Sequence, residues 1–167
     1  NSAGQIGKGT LYALDGLRDH MESFYQRHGV DGWVLKCDIR HFFYEIDHEI
    51  LKDIVDYFFP DPYTTWLNHT LIDSSENPGL PLGNQAGQVY ALLMVHAVDC
   101  MVTGELGITE YGRYMDDFYL IHQDKEYLKW CLECIREMLK TLGLELNGKT
   151  QIIPFRKGIR YLGFHHY

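Results

Sequence analysis

Apolar side chains recur at helical spacing along three long stretches of the chain. Each stretch begins at a residue whose side chain can accept hydrogen bonds from a helix N-terminus, and the first and third end at a glycine. This pattern is typical of amphipathic helices that bury one face. The stretches predicted as helices are 10–29, 47–58 and 124–143.

Short runs of β-prone residues lie between these helices. The first run is apolar around a single lysine and ends at Asp38, as a buried strand can. Only Met115, Asp116 and Asp117 separate the second run from the third, so these two runs are expected to pair as a hairpin with the tripeptide at its tip. The predicted strands are 33–38, 109–114, 118–121, 151–153 and 160–162.

Two further helices follow from composition. Residues 86–101 are apolar nearly all round, which is typical of a helix buried on most sides, and a shorter helix is expected at 63–72. A loop rich in proline and glycine, 77–83, separates them. Helices and strands thus alternate irregularly around an antiparallel hairpin. This order predicts an α+β fold with helices packed on one face of an antiparallel sheet.

The composition fits one domain of 167 residues, with 46% apolar and 23% charged residues. No apolar run approaches the roughly 20 residues that cross a bilayer, and the first residues lack an apolar signal segment. Four cysteines without such a signal fit a reducing compartment, so we expect a cytoplasmic protein with no membrane partner. The net charge of −8 argues by itself against a broad basic surface for nucleic acid.

Three aspartates stand out by their positions. Asp38 ends the first predicted strand, while Asp116 and Asp117 occupy the hairpin tip, where two like charges repel each other unless a cation is near. Carboxylates on neighbouring strands can hold Mg²⁺, which prefers oxygen ligands and leaves positions open for phosphate and water. Two such ions can hold both ends of a phosphoryl transfer. The alternative interpretation is an acidic pair that is simply solvated in a turn.

The residues around these aspartates resemble the motifs of reverse transcriptases. Residues 114–117, YMDD, look like the YxDD hairpin of that family, and four further motifs lie in the family order along the chain. The four are 38–48, 79–88, 146–150 and 161–164, and residues 5–10 resemble the last fingers segment of bacterial members. The motif at 79–88 is similar to those of diversity-generating retroelements, retrons and group II introns.

This resemblance implies a right-hand polymerase palm built on a ferredoxin-like sheet, with RNA-directed DNA synthesis as its activity. It divides the chain into a partial fingers segment at 1–30, a palm at 31–153 and a primer-grip hairpin at 154–167, with the thumb absent. Fingers and thumb carry most of the basic surface in such polymerases. We therefore expect these 167 residues alone to bind a template-primer weakly.

Carried over residue by residue, the resemblance also implies two Mg²⁺ ions, which Mn²⁺ can replace. The implied ligands are Asp38, Asp116, Asp117 and the backbone carbonyl of Ile39. The reaction would be attack of a primer 3′-hydroxyl on the α-phosphate of a dNTP. Lys149 would stabilise the leaving pyrophosphate, the alternative being a lysine solvated in a turn.

Nucleotide selection is implied at two neighbouring phenylalanines. Phe42 or Phe43 would lie under the sugar, where an aromatic ring leaves no room for a 2′-hydroxyl and so favours dNTPs over NTPs. The sequence does not decide between the two rings, and we expect the other one to belong to the core. Further nucleotide contacts are implied at Leu82, Gly83 and Gln88, and a primer grip at Tyr161, Leu162 and Gly163.

Leu82 departs from many family members, which have glutamine at this position. Leucine cannot hydrogen-bond the incoming nucleotide, so the similarity to diversity-generating retroelement enzymes suggests low fidelity. The implied partners are an RNA template, a DNA or RNA primer and dNTPs, and an accessory protein is compatible with the sequence. Two alternatives remain: a catalytically silent palm that binds RNA or protein, and a template-independent or protein-primed polymerase of a phage-defence system. The presence of all three aspartates favours catalysis.

Overall fold

The structure, a computed structural model, describes residues 9–80, 85–161 and 164–166. Helices and strands alternate along it in the irregular order that the sequence predicts. The helices are α1 (Thr10–His28), α2 (Phe42–Glu45), α3 (His48–Phe58), α4 (Pro62–Asp73), α5 (Gln85–Cys100) and α6 (Lys125–Thr141). The strands are β1 (Trp33–Asp38), β2 (Glu110–Tyr114), β3 (Asp117–His122), β4 (Gln151–Pro154), β5 (Ile159–Tyr161) and β6 (Phe164–His166).

A four-stranded antiparallel sheet with the order β2-β3-β1-β4 forms the centre of the described residues. β2 and β3 form the predicted hairpin, and β3 pairs with β1 in a register that runs from Trp33 opposite His122 to Asp38 opposite Asp117. β5 and β6 pair separately as a second, two-stranded sheet. The register therefore brings Asp38 and the hairpin tip together at one end of the two central strands.

One face of the sheet is covered by α3, α5 and α6, which enclose the larger hydrophobic core. Side chains of the central strands alternate between the two faces, so Leu35 and Cys37 of β1 and Leu120 of β3 point into this core and are fully buried. α5 continues through a π-helical turn, Met101–Glu105, into one 21-residue helix. By length and composition this helix could cross a membrane, but its buried residues belong to the core, as predicted for 86–101.

The opposite face is covered by α1 and by the β5–β6 hairpin. A second core forms there around Phe24 of α1, Val34 of β1 and Tyr161 of β5. The antiparallel sheet and the α+β palm fold are confirmed, with the addition that helices cover both faces and not one alone. The sequence also did not predict α2, a four-residue helix.

Aspartate side chains fix the starts of several helices as the sequence predicts. Asp47 accepts hydrogen bonds from the backbone N–H of Glu49 at 2.8 Å and Ile50 at 3.1 Å, and Asp124 accepts one from the N–H of Glu126 at 2.9 Å. These carboxylates satisfy donors that have no partner inside the helix. The caps set where α3 and α6 begin, and so how they cross the sheet.

Candidate active site

The site is built at the end of the two central strands. Asp38 is the last residue of β1 and lies opposite Asp117, the first residue of β3. The backbone N–H of Ile39 donates to the carbonyl oxygen of Asp116 at 3.0 Å, which extends the pairing into the hairpin turn. Met115 in that turn adopts a left-handed conformation with φ of 56°, which is uncommon for a residue other than glycine. The backbone therefore presents Asp116 directly beside the end of β1.

The side chains of Asp38 and Asp116 interact as a close carboxyl pair. Burial is the main cause that raises the pKa of Asp116 from its usual 3.8 to about 6. The negative charge of Asp38 and a hydrogen bond to Asp38 raise it further. A hydrogen bond between two carboxyl groups needs a proton on one of them, because two carboxylates have only acceptors. At neutral pH, ionisation of both groups brings two negative charges close together, and a cation bound between them would relieve this repulsion.

Asp117 is oriented differently from the other two aspartates. It forms an ion pair with Lys36 of β1, whose side chain is 13% exposed. Burial lowers the pKa of Lys36, while the charges of Asp38 and Asp116 oppose that effect. Lys36 was missed in the sequence, although the two-residue spacing from Asp38 already places both side chains on the same face of a strand.

The donor set suits a hard divalent cation because it consists of carboxylate oxygens. Within the described ranges, no group of three or more His, Cys, Asp or Glu side chains already surrounds a common point. The Asp38 and Asp116 carboxyl groups lie within hydrogen-bond reach of each other, and Asp117 contacts Lys36. The chemistry of the carboxyl pair therefore fits a metal ion, and Asp117 is held by a lysine beside it.

A buried ion pair supports the hairpin from behind. Arg113 of β2, whose side chain is 1% exposed, donates to both carboxylate oxygens of Asp99 in α5, from Nε at 2.8 Å and from Nη2 at 2.7 Å. Its Nη1 donates to the carbonyl oxygen of Met115 at 2.8 Å, and the Tyr111 hydroxyl also donates to Asp99. Burial alone would lower the pKa of Arg113, but the hydrogen bond and charge of Asp99 raise it. This network ties the Met115–Asp116 turn to the core helix α5.

The two candidate gate residues have different environments. Phe42 is 2% exposed and belongs to the core, while Phe43 is half-buried at its edge, with ring centroids 5.4 Å apart. The backbone N–H of Leu80 donates to the Phe43 carbonyl at 2.7 Å, and His48 Nε2 lies 2.6 Å from the Gly79 carbonyl oxygen. These two contacts hold Gly79 and Leu80, in the loop after α4, against the segment that carries Phe43.

The remaining predicted residues fall into two groups. Gln88 lies half-buried in the second turn of α5, and Tyr161 is buried with its ring centroid 5.0 Å from that of Tyr119. Lys149 is exposed in a turn whose Asn147 backbone N–H donates to the Asp38 carbonyl at 2.6 Å, so that turn abuts the site. Four predicted residues lie outside the described residues: Leu82, Gly83, Leu162 and Gly163.

The antiparallel sheet, the helices behind it and the acidic hairpin beside its central strand together define a polymerase palm. A family model described as reverse transcriptase (RNA-dependent DNA polymerase) matches residues 7–166. The chain therefore belongs to the reverse transcriptase family. No curated protein matches the sequence.

Solved structures with the same fold include two fungal telomerases. Apo telomerase from Candida tropicalis is 14% identical, with a TM-score of 0.73 over 93% of this chain. Telomerase from Candida albicans, solved in complex with the TWJ fragment of telomeric RNA, is 12% identical, with a TM-score of 0.73 over 94% of this chain. The alignments cover 38% and 32% of those two chains, so the likeness concerns the fold of one part of a larger protein.

Proposed function

We propose that these residues form the catalytic palm of an RNA-directed DNA polymerase, which transfers a dNMP unit to a primer 3′-hydroxyl. The observation that carries the proposal is the close, half-buried carboxyl pair of Asp38 and Asp116 at the YMDD turn. A protein pays for such a pair with unfavourable electrostatics, and a function that needs a cation there explains it.

The residues that would hold Mg²⁺ or Mn²⁺ are Asp38, Asp116, Asp117 and the Ile39 carbonyl. Two bound ions would supply a lower pKa for the attacking hydroxyl and neutralisation of charge on the triphosphate. The chain's own part is positioning: Lys36 orients Asp117, and Arg113 holds the turn through the Met115 carbonyl. Lys149, on the turn bonded to Asp38, would donate to the leaving pyrophosphate.

For selection of the sugar, we assign the gate to Phe43. Phe42 is buried in the core, so its ring cannot contact a nucleotide, whereas the Phe43 side chain is partly exposed. Gln88, near the start of α5, is close in sequence to the loop that is fastened to the Phe43 carbonyl. Phe43 and that loop would together form the nucleotide pocket.

Low fidelity of the diversity-generating type is the finer part of the proposal. It is supported by leucine at position 82, which offers no hydrogen bond to a nucleotide. Leu82→Gln is expected to lower the misincorporation rate on a defined RNA template. Equal error rates in the two proteins would refute this part without affecting the assignment of the catalytic aspartates.

The main test is primer extension with the full natural chain that contains these residues, on an RNA template with Mg²⁺ and dNTPs. Asp116→Asn is expected to abolish extension, while Asp61→Asn is the matched control. Asp61 caps α4 far along the chain from the site, and asparagine caps equally well. RNA is the first template to test because the Candida albicans relative was solved with RNA.

The outcomes separate the alternatives. Extension that requires RNA and is lost in Asp116→Asn supports the proposal. Incorporation of labelled dNTP without any template would point to a template-independent or protein-primed polymerase that uses the same aspartates. Folded protein that incorporates nothing under either condition would favour a silent palm that binds RNA or protein.

A further inference from the structure

α4 has its apolar side chains on the outside. Tyr63, Leu67 and Leu71 are spaced by four residues and form one ridge along the helix, with Trp66 beside it. Their exposed fractions are 69%, 38%, 43% and 61% in the order Tyr63, Leu67, Leu71 and Trp66. The Tyr63 and Trp66 rings lie against each other with centroids 6.1 Å apart. These four residues are called the α4 face below.

The inner side of the same helix makes mostly polar contacts. Asn68 Oδ1 accepts a hydrogen bond from the Tyr90 hydroxyl of α5 at 2.9 Å, and His69 Nε2 lies 2.8 Å from an Asp56 carboxylate oxygen of α3. Ile72 is the buried apolar residue of the helix. A helix on a protein surface normally has the reverse arrangement, with its apolar stripe toward the core. The α4 face is therefore a contiguous exposed patch of the kind that marks an interaction site.

Apolar and aromatic exposure continues at the connection from α3 to α4. Tyr57 is 81% exposed and Phe59 is 44% exposed. The Phe59 carbonyl accepts a hydrogen bond from the Thr65 hydroxyl at 3.3 Å, which fastens this connection to the first turns of α4. The patch thus rests on two helices that are joined by hydrogen bonds and an ion pair, and it presents a fixed shape.

The segment that contains α4 carries a large excess of acidic residues. Residues 53–112 contain no lysine and no arginine, but eight aspartates and glutamates. The other 107 residues contain 15 of each sign, so this segment accounts for the whole net charge of −8. Two of its acids, Asp99 and Glu110, pair internally with arginines from outside the segment. Of the others, Asp61 and Asp73 lie at the two ends of α4, Glu76 follows it, and Asp53 and Asp56 lie on α3. Asp73 forms an ion pair with Lys52 of α3 at 2.7 Å.

This combination decides what kind of molecule the surface suits. A nucleic acid is repelled by a surface on which acids outnumber cations, and a second copy of the chain would bring like charge to like charge. A cationic protein segment gains attraction from the acids and buries the exposed rings, which are the side chains that dominate interface energetics. We infer that the α4 face is a docking site for a protein partner that presents aliphatic side chains surrounded by lysine or arginine. The inference is independent of catalysis.

The test is isothermal titration of the full natural chain with a synthetic amphipathic helix made of leucine and lysine. Binding is expected to weaken by about tenfold or more when Trp66 is replaced by serine, as for an aromatic residue at the centre of an interface. Trp130→Ser is the matched control, because Trp130 is 55% exposed on α6, away from this surface. A second probe, in which glutamate replaces every lysine, is expected not to bind.

Several results would overturn the inference. Equal affinities of Trp66→Ser and Trp130→Ser would show that the α4 face does not hold the probe. Equal affinities for the lysine and glutamate helices would show that charge attraction does not determine binding. Sedimentation that shows dimers lost on Trp66→Ser would make a second copy the occupant. Direct titration with an RNA oligonucleotide that binds the wild-type chain but not Trp66→Ser would make the occupant a nucleic acid. Circular dichroism of each variant checks that the fold is retained.

Discussion

Removal of the Asp99 carboxylate is the perturbation that tests how the Met115–Asp116 turn is supported. Asp99→Ala leaves the Arg113 guanidinium, 1% exposed, without its two carboxylate contacts, and it removes the acceptor of the Tyr111 hydroxyl. Alanine is a good helix former, so α5 itself is not weakened by the change. The expected loss of stability therefore comes from the uncompensated buried charge.

The magnitude follows from how deeply the pair is buried. Breaking a fully buried pair by removing one partner costs about 3–5 kcal/mol. The Asp99 side chain is 18% exposed, so some water reaches the pair, and the low end of about 3 kcal/mol is expected. With an m-value of about 2 kcal/mol per M in urea, the unfolding midpoint would fall by about 1.5 M.

The assay is urea unfolding followed by circular dichroism, with Asp56→Ala as the matched control. Asp56 pairs with His69, and the two side chains are 37% and 34% exposed, so its loss is expected to cost less than about 1 kcal/mol. An Asp99→Ala cost no larger than that of Asp56→Ala would refute the reasoning. Adding Arg113→Met to Asp99→Ala is expected to recover part of the stability, because the buried charge is gone, but not polymerase activity, because the Met115 carbonyl has lost its donor.

Three more predictions follow from single residues. Phe43→Val is expected to increase incorporation of NTPs relative to dNTPs in primer extension, whereas Phe42→Val lowers thermal stability without changing that ratio, since Phe42 is a core residue. Asp116→Asn is expected to raise the melting temperature at pH 8 in chelator, because the native carboxylate is destabilised there. The gain should shrink as the pH falls below about 6 and disappear only below the ordinary value of 3.8, so an equal gain at pH 8 and pH 5 would contradict the reasoning. Cys100 is exposed and should react with a thiol reagent in the folded protein. Cys37 is buried, which strongly raises the pKa of its thiol, so it should react only on unfolding. Mass spectrometry of the labelled sites measures both.

The sequence predicted the elements whose signals are local. β1 has the predicted bounds, and Asp47 and Asp124 cap the helices as their positions indicate. The hairpin followed from two β-prone runs with a three-residue separation. Such signals depend on spacing within about one helix or strand, and they are readable without tertiary structure.

The features that could not be predicted depend on contacts between residues far apart in the sequence. Periodicity shows that α1 buries one face, but it does not show which side of the sheet the helix covers. α2 is too short for any periodic pattern. No local pattern shows that Arg113 pairs with Asp99, which lies 14 positions earlier on a different element. The roles of Phe43 and Lys149 and the division into fingers, palm and primer grip stay predictions.

The concentration of net charge in residues 53–112 has a consequence for how the protein meets a polyanion. Excess acids gathered around α3 and α4, on a chain that is neutral elsewhere, give the protein an uneven charge distribution and hence an electric dipole. An approaching nucleic acid exerts a torque on that dipole and turns the acidic α3–α4 surface away before any contact forms. Encounters are thereby biased toward the less acidic surfaces, and this bias should fade as ionic strength shortens the screening length to about 3 Å at 1 M salt.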